Sequence, residues 1–183
     1  ITVIWQDKVT NFNPSEYEKT FTYYESKDGT MVPLTYFHRK DVELNSQTPV
    51  FLYGYGGYNI SIRPSFSRKY VGWLELGGVV AIANLRGGGE LGKEWHNAGR
   101  LKEKQNVFDD FLYASKYLEA EGVGNRKSTV ISGRSNGGLL VGTSLVQNPN
   151  YFGATLPAVG VLDMLRFTEF TEGWGWRGDY GSP

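Results

Sequence analysis

Apolar and polar positions alternate in two rhythms along this chain, one of strands and one of helices. Thr20-Phe21-Thr22-Tyr23-Tyr24 and Met31-Val32-Pro33-Leu34-Thr35-Tyr36-Phe37 read as strands around Lys27-Asp28-Gly29-Thr30. Asp-Gly between two such runs predicts a hairpin. Pro33 has no N–H to give a ladder, so its strand is expected at a sheet edge, with His38 beside it on the surface. Residues 49–53 and 79–84 are continuous apolar runs of the kind buried in a parallel sheet. Between them Phe66, Tyr70, Trp73 and Leu74 recur at helical spacing, and Gly77-Gly78 should stop that helix. Val107, Phe108, Phe111, Leu112, Ala114, Tyr117 and Leu118 form a second apolar stripe, closed by Gly122 and Gly124. A β-branched strand at 129–132 leads through glycines and a serine into an apolar helix reaching about Gln147, where Asn148-Pro149 ends it. Residues 154–161 read as one more strand, and 162–183 as an aromatic-rich loop. Strands alternating with helices predict an α/β fold built on a mostly parallel, doubly wound sheet of about six strands.

The candidate chemistry sits where the 129–132 strand meets its helix. Gly133, Ser135 and Gly137 fit G-x-S-x-G, the nucleophile elbow of α/β-hydrolases. A serine at so sharp a turn takes a strained backbone, and side chains two positions away would collide with the neighbouring strand or helix. The following helix aims its N-terminal N–H groups at charge developing beside Ser135. Upstream, the 49–53 strand runs into Gly54-Tyr55-Gly56-Gly57-Tyr58-Asn59, where glycines allow close approach of a ligand and tyrosines present rings to it. An α/β-hydrolase places its second oxyanion loop here. The triplet in Arg86-Gly87-Gly88-Gly89-Glu90 has neither Rossmann nor P-loop spacing and reads as a structural loop.

Composition narrows the partners. The chain has 183 residues, enough for one domain with a sizeable core. Nineteen basic residues balance nineteen acidic ones, which gives no electrostatic reason to expect nucleic acid or an anionic membrane. Cysteine is absent, so disulfides, thiolate metal sites and a cysteine nucleophile are excluded. No apolar run approaches the roughly 20 residues of a membrane span. No cofactor and no metal is expected.

Taken together, several separated motifs resemble the prolyl oligopeptidases, serine peptidases that join an α/β-hydrolase domain to a β-propeller. They are residues 53–60, Asn84-Leu85-Arg86-Gly87-Gly88-Gly89-Glu90, Gln105-Asn106-Val107-Phe108-Asp109-Asp110-Phe111, the elbow through Leu140, and Val159-Gly160-Val161-Leu162-Asp163-Met164-Leu165. The resemblance runs from about Thr20 to Pro183. It implies an α/β-hydrolase catalytic domain over 20–183, incomplete at its C-terminal end, with 1–19 leading out of an upstream propeller. It also implies that Ser135 is the acyl-accepting nucleophile, with the Asn136 backbone N–H and the Tyr55 hydroxyl as oxyanion donors. Trp176 would floor a pocket for a substrate's proline, lined by Tyr58, Val161 and Tyr180. The family commonly has phenylalanine at Tyr58 and often glycine at Arg134, the latter expected to point away from the reacting atoms.

One departure stands out. The hydrolase triad runs Ser, then Asp, then His, yet no histidine follows Ser135; His38 and His96 both precede it. Asp163 and Asp179 follow Ser135, but in loop motifs of the family and not at its triad acid. The chain is therefore expected to be a fragment, inactive alone, of an enzyme that cuts short peptides after proline. Alternatives are an esterase or acyl-peptide hydrolase of the same fold, or a non-catalytic peptide-binding module. The expected compartment is the cytoplasm, with periplasmic or secreted locations left open.

Overall fold

The computed structural model describes residues 12–63 and 65–183. The expectation for the first residues of the chain, up to 11, lies outside this range. The chain order is β1 (Tyr17–Glu25), β2 (Met31–Arg39), β3 (Val50–Tyr53), α1 (Arg68–Glu75), β4 (Val79–Ala83), α2 (Lys93–Asn97), α3 (Gln105–Ala120), β5 (Thr129–Arg134), α4 (Asn136–Gln147), β6 (Ala154–Ala158) and α5 (Arg177–Tyr180). The strands form one six-stranded sheet in the order β1-β2-β4-β3-β5-β6. β1, β2 and β4 pair antiparallel, whereas β4/β3, β3/β5 and β5/β6 are parallel. The sheet is mixed, and its parallel half carries the elbow.

Alternation along the strands divides the core between two layers. Leu52, Ala81 and Ile131 pack with Phe111, Leu118 and Leu140 of α3 and α4 in one fully buried cluster. Phe51, one position out of phase with Leu52, turns the other way and meets Tyr70 and Trp73 of α1, with ring centroids 5.9 and 5.6 Å apart. Helices on both faces make the sheet doubly wound. α1 ends as its sequence predicts: Gly77 takes φ +81°, and the Gly77 and Gly78 N–H groups bond back to Leu74 and Trp73. The hairpin forms as expected, with Ser26 N–H donating to the Thr30 carbonyl and Gly29 at φ +84°.

Two expectations from the strand pattern are corrected. β2 is no edge strand, because it pairs with both β1 and β4. Pro33 is tolerated because its β4-facing side lies at the end of that ladder: pairing with β4 begins at Leu34, and the Pro33 carbonyl takes the Asn84 N–H. The missing donor would face the same side at this terminal position, so the proline costs the β2–β4 ladder at most one bond at its end. His38 is consequently buried, with Nδ1 2.9 Å from the Arg39 carbonyl oxygen. The final strand is also shorter than the apolar run suggested, ending at Ala158, and the aromatic tail is partly ordered into 3₁₀ turns at Phe167–Glu169 and Gly173–Trp176 before α5.

Candidate active site

Ser135 occupies the single residue between β5 and α4, at φ 58° and ψ −117°, a conformation that side chains seldom adopt. The turn holds because its neighbours have no Cβ. A Cβ on Gly133 would lie 2.2 Å from the Gly137 carbonyl oxygen, and one on Gly137 2.8 Å from the Gly54 carbonyl oxygen. Ser135 N–H donates to the Ala158 carbonyl of β6 at 2.9 Å, while its carbonyl accepts from Gly138 and Leu139. The elbow is thus anchored at both ends, and the serine side chain stands exposed. No described residue accepts from the Asn136 N–H, which lies in the first turn of α4 where helical partners are missing.

The segment after β3 runs beside the elbow. Tyr55 is half-buried, and its hydroxyl lies near enough to the Ser135 side chain to feel it electrostatically. Burial raises the Tyr55 pKa, the serine contact partly offsets this, and the phenol keeps its proton at neutral pH. Tyr58 and Asn59 both have left-handed backbones, at φ 57° and 56°, so this loop is strained over two consecutive non-glycine residues.

A buried polar network holds it in place. Asn136 Nδ2 donates to the Tyr55 carbonyl at 2.6 Å, and Asn136 Oδ1 accepts from the Tyr180 hydroxyl at 2.9 Å and from Lys104 Nζ at 3.1 Å. Lys104 Nζ also donates to the Gly56 carbonyl at 2.9 Å. Asp179, 3% exposed, accepts the Tyr58 N–H at 2.8 Å on one oxygen, and its other oxygen lies 2.9 Å from His96 Nε2. Gly57 makes room for this convergence, since a Cβ there would meet Asn136 Nδ2 at 2.5 Å and Asp179 Oδ2 at 2.9 Å. Burial pulls the Lys104 pKa down to about 8, against the opposing pull of Asp179 3.8 Å away.

Of the four residues expected around a proline pocket, Tyr58 and Tyr180 meet edge to face, centroids 5.6 Å apart at 87°. Burial pushes both phenols well above the ordinary range. Trp176 is half-buried at the end of the 3₁₀ turn directly preceding α5, and Val161 is half-buried in the loop after β6. No ring contact joins Trp176 to Tyr58 or Tyr180 among the described residues. Arg134 is exposed. His96 belongs to the network through Asp179 and has no bond to Ser135.

Lys104 and Asp179 are the members of this site that sequence reasoning did not assign. Lys104 sits in Leu101-Lys102-Glu103-Lys104-Gln105, a charged run that reads as solvated surface. No group of three or more metal-ligating side chains exists among the described residues. No described helix is long and apolar enough to cross a membrane.

Comparison with known proteins agrees with this architecture. Residues 64–183 match the prolyl oligopeptidase family. The chain is 45% identical over 179 residues to the prolyl endopeptidase of Elizabethkingia meningoseptica, covering 98% of this chain and 25% of that protein. It is 42% identical over 178 residues to prolyl oligopeptidase A of Amanita bisporigera, covering 96% of this chain and 23% of that protein. The apo structure of prolyl oligopeptidase B from Galerina marginata superposes with a TM-score of 0.92 at 41% identity, covering 96% of this chain and 25% of that one. The chain thus spans about a quarter of the length of the relatives it matches. With the elbow, the adjacent tyrosine loop and these matches in agreement, the chain belongs to the prolyl oligopeptidase family.

Proposed function

We propose that this chain carries the nucleophile and oxyanion hole of a serine peptidase that cuts short peptides after proline. The observation that carries the reading is the strained Ser135 beside both a free helix N-terminal N–H and the protonated Tyr55 phenol. Ser135 Oγ attacks the carbonyl carbon of the residue before the scissile bond and gives its proton to a histidine. The Asn136 N–H and Tyr55 O–H bind the oxyanion, which develops only on the way to the tetrahedral intermediate. The C–N bond then breaks, the leaving amine takes the proton from histidine, and water hydrolyses the acyl-serine.

The histidine and its orienting acid come from outside this chain. Every histidine here precedes Ser135, and neither His38 nor His96 bonds it: His38 meets the Arg39 carbonyl and His96 meets Asp179. An upstream propeller in the intact protein belongs to the same proposal. Tyr58, Val161, Trp176 and Tyr180 form the proline subsite, where a flat pyrrolidine ring gains area burial and ring-face contact against an indole. A peptide substrate accords with the relatives: prolyl oligopeptidase B of Galerina marginata has been solved bound to a 25mer macrocyclization substrate.

The test compares the intact protein on matched peptides with proline or alanine before the scissile bond. Preference for proline by a factor of about 100 or more, reduced by Trp176→Ala mainly through KM, is expected of about 3 kcal/mol of ring contact and burial. Equal rates on both peptides would contradict the subsite assignment.

A further inference from the structure

The strain at Tyr58 and Asn59 requires something to hold the Tyr55 loop against the elbow. We propose that Lys104, at the N-terminal boundary of α3, is a positioning residue for the oxyanion loop, setting the Tyr55 hydroxyl over Ser135. The proposal rests on the reading of Tyr55 as an oxyanion donor. Lys104 Nζ reaches the Gly56 carbonyl at 2.9 Å and Asn136 Oδ1 at 3.1 Å, joining the residue after Tyr55 to the residue after Ser135. Asn136 completes the clamp from its other end through the Tyr55 carbonyl at 2.6 Å. The two main-chain carbonyls of Tyr55 and Gly56 are thus both tied to one small polar cluster.

The Lys104 side chain is only 12% exposed, unlike the solvated lysines of a typical surface. It faces the Asp179 carboxylate at 3.8 Å and the Tyr180 ring at 5.4 Å, with His96 on the far oxygen of Asp179. A buried cation is costly unless every proton on it is used, and here two are donated to the elbow and its loop while the third side meets a carboxylate. Charge-assisted bonds of this kind are about twice as strong as neutral ones. Lys104 touches neither substrate nor the reacting atoms; it acts through Tyr55.

A double-mutant cycle on the intact protein tests this. Tyr55→Phe alone should lower kcat about 10²–10³-fold, as loss of one oxyanion donor does. Lys104→Met should lower kcat about 10–100-fold, with KM changed less than about threefold, because misplacing a donor by an ångström has that effect. In the Lys104→Met background, Tyr55→Phe should then cost no more than about tenfold, since a misplaced hydroxyl has little left to lose. Losses that simply multiply, or a loss confined to KM, would overturn the role of Lys104. An unaltered kcat in Tyr55→Phe would instead overturn the oxyanion reading beneath it.

If Lys104→Met does not fold, the unmodified protein carries the test. Lys104 loses its charge near pH 8, whereas the Tyr58 and Tyr180 phenols keep their protons well beyond it. A several-fold fall in kcat centred near pH 8, absent from Tyr55→Phe, is expected. A flat profile there, or the same fall in Tyr55→Phe, would overturn the proposal.

Discussion

At the scale of single residues, the elbow shows why a few atoms decide the site. Ser135 can keep φ 58° only while Gly133 and Gly137 leave the turn empty. A methyl on Gly133 would sit 2.2 Å from backbone that has no room to move. Gly133→Ala is therefore expected to destabilise the protein by about 1–3 kcal/mol through overpacking and to abolish reaction at Ser135. Denaturant unfolding checks the first effect; an unchanged midpoint would contradict it. The elbow is legible in the sequence because its demands are local and fall within five consecutive residues. Lys104 and Asp179 are not, because nothing in their neighbours announces burial. Asp179 meets His96 across 83 residues of chain and Tyr58 across 121, contacts that only the folded arrangement creates.

Elements are legible where one periodicity dominates, and misleading where a single residue is allowed to rule a strand. The apolar runs at β3 and β4 and the stripe of α3 all form where the pattern puts them. Pro33 misleads because the edge rule concerns the direction of one missing N–H, and that direction depends on where the neighbouring ladder stops. The glycine triplet hides another device. Arg86, beside it, is 5% exposed and bonds Asp110, which is fully buried, through Nη2 at 2.6 Å and Nε at 3.0 Å. Its other arm reaches Asp28 in the hairpin at 2.6 Å, and Ser26 also donates to Asp110 at 2.6 Å. One guanidinium thus ties the β1–β2 hairpin to α3 and to the loop after β4. Arg86→Met, which strands the Asp110 carboxylate, is expected to cost about 3–5 kcal/mol of stability; a loss below about 1 kcal/mol in urea titration would contradict this.

The same tie has an acid limit. Hydrogen bonds from Arg86 hold the Asp28 carboxyl below its ordinary 3.8, at about 2, although burial opposes them. Because the folded state favours the carboxylate, the contribution is complete above pH 3.8 and fades as the pH falls toward 2. With Asp28 46% exposed, solvent screens much of it. Asp28→Asn should flatten the stability–pH curve in that window, and an unchanged slope would contradict the assignment.

At the scale of the whole molecule, the sheet is covered unevenly. β4 is buried along its full length, whereas β6 and the loop after it present Leu156 at 50%, Val159 at 66%, Leu162 at 58% and Leu165 at 82% exposure. An open strand with apolar neighbours is a template for pairing with another chain. The 183-residue chain by itself is expected to self-associate with rising concentration in sedimentation velocity, and a monomer throughout the tens-of-micromolar range would contradict that. No histidine follows Ser135 within these 183 residues. Removing a triad member from such a site costs several orders of magnitude in rate.

The most direct test of a serine nucleophile completed from outside this chain is mass spectrometry after treatment with a fluorophosphonate, on the intact protein and on the 183-residue chain in parallel. A single adduct on Ser135 in the intact protein, lost in Ser135→Ala, is expected, with no adduct on the isolated chain over the same time. Labelling of the isolated chain at an equal rate would place the base within these residues and make His96 its candidate. An intact protein left unlabelled at Ser135 would contradict the assignment of the nucleophile itself.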